Sequence, residues 1–92
     1  MTPKVLTFKE KYNEPNLTWQ QKAILIALYH TVMHERYSTW TLRDTAIHFE
    51  VSIGLVSENI KLAKYIDNLK YGKKLMKLDT REKGLKYIYG NW

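Results

Sequence analysis

Two helical patterns separated by only three residues constrain this chain more tightly than any other feature. "LRDTAIHF" (residues 42–49) places Leu42, Ala46 and Phe49 four and then three apart, on one helical face. After Glu50, Val51 and Ser52 the pattern restarts in "IGLVSENIKLAKYIDNL", with Val56, Ile60, Ala63 and Ile66 predicted inward. Thr41 and Asp44 have the spacing of a capping box, and Ser52 can cap the restart. Two short helices with so brief a joint must cross at a steep angle. Ala46 is then small where the second helix passes over it, Val51 plugs the turn, and Val56 and Ile60 anchor the second helix from below. The alternation of Val51, Ile53 and Leu55 also reads as a strand, but the helical continuation from Ser57 leaves such a strand without a partner.

The rest of the chain arranges itself around this pair. Residues 1–17 read as an arm: "TFKE" has capping-box spacing, Pro15 ends the short turn, and Val5, Leu6, Phe8 and Tyr12 pin the arm to the body. A long helix follows over 18–36, with Thr18 as cap, Gln21 at the box position and Leu17 as staple. Its apolar stripe is read as Ile24, Leu25, Leu28 and Val32, broadened by Ala27, Tyr29 and Met33. So wide an arc belongs either to the centre of a bundle or to a face shared with a second subunit. "STWT" (38–41) breaks the pattern. Residues 73–92 read either as a hairpin, "KLMKL" and "LKYIY" around "DTREKG", or as a short turn followed by a helix capped at Asp79 or Thr80. Glu82 in the first turn, with Leu85 and Ile88 three apart, favours the helix over the hairpin wing. The expectation is one all-α domain over 1–92, a small helical bundle, since neither half of so short a chain would hold its own core.

Charge says most about partners. Residues 1–60 carry six basic and six acidic side chains, whereas residues 61–92 carry nine basic and three acidic ones. The whole formal excess of +6 therefore sits in the last third, the footprint of a polyanionic partner such as nucleic acid, or more plainly of a solvated lysine-rich surface. No cysteine is present, which removes disulfides and thiolate metal sites and points to a reducing, cytoplasmic setting. The longest apolar run, Ala23 to Tyr29, is far short of the roughly 20 residues of a membrane span, and the N-terminus lacks signal-peptide features.

Catalytic and metal signatures are weak. His30 and His34 are four apart, a zinc-chelating spacing, but no third ligand beyond Glu35 is evident and "HExxH" is absent. Asp44 and His48 share a helix face with no nucleophile placed to use them, and no glycine-rich loop cradles a phosphate. The expectation is a non-enzyme without metal, cofactor or small-molecule substrate. Most aromatic residues sit at packing positions; Tyr87, Tyr89 and Trp92, mixed with lysines, are the candidates for stacking on bases.

The pattern Ala46-x3-Glu50-Val51-Ser52-x3-Val56-Ser57-x2-Ile60-x2-Ala63 resembles the helix-turn-helix of bacterial and phage DNA-binding proteins over residues 42–63. It departs at Glu50, where that family usually has glycine in a left-handed turn, a difference costing on the order of 1 kcal/mol. The resemblance implies a second helix lying in the DNA major groove. Carried over position by position, the base-contacting set is Ser52, Ile53, Gly54, Ser57, Glu58 and Lys61. Small residues at 52, 54 and 57 let the helix axis approach closely. Ser57 donates or accepts, Glu58 accepts from a cytosine amino group, and Ile53 touches a thymine methyl. Phosphates fall to Thr39, Thr41, Arg43 and Lys64, with Lys73, Lys74 and Lys77 from the basic C-terminal segment. The implied protein is a small transcriptional regulator of phage-like style, a homodimer on palindromic double-stranded DNA. A non-catalytic protein-interaction module and a sequence-independent DNA-packaging or architectural protein are the alternatives.

Overall fold

Every described helix but one, the short turn at Gly72–Leu75, begins where a short hydroxyl side chain accepts a free N–H group of the first turn. The structure, a computed structural model, describes residues 7–90. It comprises α1 (Phe8–Tyr12), α2 (Trp19–Arg36), α3 (Leu42–Phe49), α4 (Ile53–Ile66), α5 (Gly72–Leu75) and α6 (Arg81–Ile88). Thr7 with Glu10, Thr18 with Gln21 and Thr41 with Asp44 form complete capping boxes. Ser52 Oγ accepts from the Leu55 N–H and Thr80 Oγ1 from the Lys83 N–H, opening α4 and α6. The described residues contain no strand: Ile53 and Leu55 lie inside α4, and the basic C-terminal segment is helical rather than a hairpin. No described helix is long and apolar enough to cross a membrane.

The core is organised by α2 crossing α4. Around Ile26, Tyr29, Ala46, Phe49 and Val56, the helices α2, α3 and α4 meet; around Ala23, Leu62 and Leu75, α2 and α4 meet α5. The arm joins the first cluster through Phe8, edge-on to Tyr29 at 5.3 Å, and Tyr12, 5.3 Å from Phe49. Val5, Leu6 and Trp92 lie outside the described residues. The C-terminal third is tied down by α2: Trp19 Nε1 and Gln20 Nε2 both donate to the Leu78 carbonyl, and Gln20 Nε2 also donates to that of Leu75.

Two inward faces differ from the sequence expectation. On α2 the buried residues are Gln20, Ala23, Ile26 and Tyr29, whereas Ile24, Leu28 and Val32 of the expected stripe point outward. This helix is apolar on most of its circumference, so periodicity does not choose a face. The choice falls to fit: Ala23 allows close approach of α4 and α5, and the buried Gln20 amide finds its own partners in the Leu75 and Leu78 carbonyls. On α4 the fully buried positions are Val56, Asn59 and Leu62, while Ile60, Ala63 and Ile66 are only half-buried. Leu62 is drawn in because α5 and α6 pack against that flank.

Candidate nucleic-acid interface

The joint between α3 and α4 is built as the short break requires. Glu50 takes the left-handed conformation at φ 60°, ψ 45°, the only non-glycine residue among those described with positive φ. Its N–H donates to the Ile47 carbonyl and the Val51 N–H to that of Ala46, closing the end of α3. Val51 packs on the cluster containing Ala46, so the turn carries its own apolar plug. Lys9 from the arm reaches Glu50 at 3.0 Å. The chain therefore adopts the glycine-type turn without glycine.

Beyond the joint, α4 presents an uncovered outer face. Ser52, Ile53, Gly54, Ser57, Lys61 and Lys64 are all exposed, and Ile53 retains 42% of its surface. A Cβ added at Gly54 would meet nothing within 4 Å, so packing does not demand glycine there. Arg43 and Thr39 are exposed near the start of α3. The Thr41 hydroxyl is already committed: it accepts from the Asp44 N–H and donates to Asp44 Oδ2 at 3.0 Å.

Two of the six expected base-contacting side chains are engaged by α6. The Glu58 carboxylate is held by the Arg81 guanidinium, and Lys61 Nζ lies 4.6 Å from the centre of the Tyr89 ring. Glu58 thus stands at the flank of the outer face rather than at its crest. Lys61, still exposed, is steered by the aromatic ring. Neither partnership was legible in the sequence, because α6 meets α4 only through tertiary packing. By sequence alone Arg81 is one more positive charge and Tyr89 a candidate for stacking on bases.

The expected phosphate-contacting lysines divide into two groups. Lys64 shares the outer face of α4. Lys73 and Lys77 line a groove with Ile66, Leu69 and Met76 at the other end of α4, about 21 Å of helix from Ser52. Lys74 is exposed on α5.

The histidines turn toward protein atoms. His30 Nδ1 is 2.7 Å from Thr45 Oγ1, and that hydroxyl oxygen accepts from Trp40 Nε1 at 2.8 Å. His34 Nδ1 is 3.2 Å from the Trp40 carbonyl. His48 stacks on Tyr29 at 4.2 Å, its Nε2 buried and without a hydrogen-bond partner among the described residues. Burial pushes the imidazoles of His30 and His48 below their ordinary range, with the charges of His34 and Lys9 respectively adding to the effect. No cluster of three or more His, Asp or Glu able to hold a metal ion occurs among the described residues.

Compared with protein-family models, curated proteins and solved structures, the sequence and fold return no match.

Proposed function

We propose that the chain binds double-stranded DNA, with α4 entering the major groove and the protein acting as a small, non-catalytic transcriptional regulator. The observation that carries this reading is the pair α3–α4 joined through Glu50 in a left-handed turn, with the outer face of α4 small, hydrogen-bonding and basic, and left uncovered. Ser57 and Ile53 are the base-reading side chains; Lys61, Lys64 and Arg43 supply phosphate contacts; Glu58 acts at the edge, restrained by Arg81. A homodimer belongs to the reading, in keeping with the resemblance. The absence of any cysteine and the lack of a long apolar segment fit a cytoplasmic protein.

A gel-shift series across salt with random competitor tests this. Steep salt dependence with a preferred sequence supports the regulator; steep dependence without preference favours an architectural role. No binding at low salt leaves a protein-interaction module. The double variant Ser57→Glu with Lys61→Glu should lose DNA binding with its helical circular-dichroism signal intact. Lys64→Ala should reduce the salt slope by about 1, as loss of one phosphate contact requires. Retained affinity in the double variant would remove α4 from the interface.

A further inference from the structure

We propose that two copies of this chain pair antiparallel along the outer face of α2, with Leu28 at the two-fold axis. Ile24, Leu28 and Val32 recur every four residues and remain 43%, 51% and 37% exposed, on the side of α2 opposite the buried Ala23, Ile26 and Tyr29. Shallow apolar grooves run along both flanks of this ridge, one toward Leu17 and Leu25, the other toward Ala63 and Ile66. A continuous apolar ridge between two grooves is the shape a second ridge of the same kind fills.

The polar residues at its ends select the occupant. About Leu28 the face is nearly symmetric: Ile24 and Leu25 precede it by four and three residues, Thr31 and Val32 follow by three and four, and Gln21 and Glu35 stand seven away on either side. A two-fold axis through Leu28 sets Ile24 against Val32 of the second copy and Gln21 against its Glu35. Gln21 Oε1 is already used to accept the Thr18 N–H, which leaves its amide N–H groups to donate to that carboxylate. Lys11 lines the groove beside Gln21 and Leu28 together with Glu14, and its ammonium is the cation that Glu35 of the second copy meets there. Neither Lys11 nor Glu35 has an ion-pair partner among the described residues. Parallel pairing would instead oppose Glu35 to Glu35. This is also the side from which two chains of net charge +6 can approach, because Lys22, the basic residue within the stretch from Gln21 to Val32, folds back over the Tyr12 ring.

The seam has a consequence for DNA, which rests on the function proposed above, whereas the pairing itself does not. α2 turns Ala23 and Ile26 toward α4 and the ridge away from it, and α4 turns Ser57, Lys61 and Lys64 away from α2. Pairing through the ridge therefore leaves both outer faces open on opposite sides of the dimer. Such a dimer holds two duplex segments together rather than reading one palindrome.

Because the chain has no cysteine, single cysteines report the seam directly. Leu28→Cys should form a disulfide-linked dimer under mild oxidation, and a mixture of Gln21→Cys and Glu35→Cys chains should cross-link to each other faster than either does to itself. Ile47→Cys, exposed on α3, serves as the control and should remain monomeric on the gel. Sedimentation of the native chain should show a dimer, and Leu28→Lys should raise its dissociation constant at least tenfold with an unchanged helical signal. A native chain that stays monomeric at about 100 μM, where a complex of micromolar Kd is mostly formed, overturns the proposal. So does a dimer that survives Leu28→Lys, or preferential Glu35→Cys self-cross-linking. Dimerisation with no DNA binding at low salt would count against the function proposed above and leave the seam standing, whereas a DNA-bound dimer that captures no second duplex would overturn the placement of the two outer faces on opposite sides.

Discussion

The carboxylate of Glu58 on α4 is bound by the guanidinium of Arg81 on α6, across a separation of 23 residues. This contact sets the flank of α4 and neutralises the acidic group nearest to its outer face. Both side chains keep partial solvent access, so the pair contributes only about 0.2–1 kcal/mol to stability. Arg81→Ala should lower unfolding free energy by no more than that in urea titration. DNA affinity should fall further, because the variant loses one cation and leaves a bare carboxylate beside the phosphates. A double-mutant cycle with Glu58→Gln separates the two effects.

Gly54 distinguishes folding from binding. Nothing lies within 4 Å of a Cβ at this position, so a side chain there is accommodated by the fold. Gly54→Ala should stabilise the protein by up to about 1 kcal/mol through helix propensity. Gly54→Leu should leave the melting temperature at or above that of the native chain while weakening DNA binding at least tenfold, measured by gel shift.

At the joint, Glu50 holds a conformation that costs a non-glycine residue roughly 1–2 kcal/mol. Its ion pair with Lys9 is exposed and returns little. Glu50→Gly is therefore expected to raise stability by about 1 kcal/mol in thermal or chemical unfolding. Glu50→Val, β-branched and unsuited to positive φ, should lower it.

Gly84 marks the opposite case. A Cβ there would sit 2.7 Å from Trp19 Cη2 and 3.2 Å from Leu62 Cδ2, so α6 touches α2 and α4 with no room to spare. Gly84→Ala gains helix propensity but forces the indole aside; a net loss of about 1–3 kcal/mol is expected, with a change in tryptophan fluorescence.

Stability should fall as solutions are acidified from neutrality. His30 and His48 are held below the ordinary imidazole value of 6.5 by burial, so below about that pH the unfolded chain binds protons that the folded one refuses. Their contribution is fully present above pH 6.5 and is lost progressively toward the lowered folded values. His48→Phe keeps the ring against Tyr29 and removes one titration, so its melting temperature should vary less between pH 7 and pH 5.

Local chemistry made much of this legible. Helix starts at Thr18, Thr41 and Ser52 follow from side chains able to take first-turn N–H groups, a relation confined to three or four residues. The short α3–α4 joint follows from the three-residue gap, with the small Ala46 buried beside it. The candidate site was less accessible. Ser52, Ile53, Gly54 and Ser57 could be placed on an outer face from periodicity, but the restraint of Glu58 and Lys61 depends on where α6 docks.

What the sequence by itself determined, then, is where the capped helices begin, where the chain doubles back, and which third of it carries the positive charge. Tertiary structure decided which side of α2 is buried and which part of α4 is covered. The reason is physical: capping and turn geometry act between near neighbours, whereas α2 is apolar nearly all round. Only the close fit of Ala23 and the two carbonyls met by Gln20 settle which face turns inward and which stays exposed.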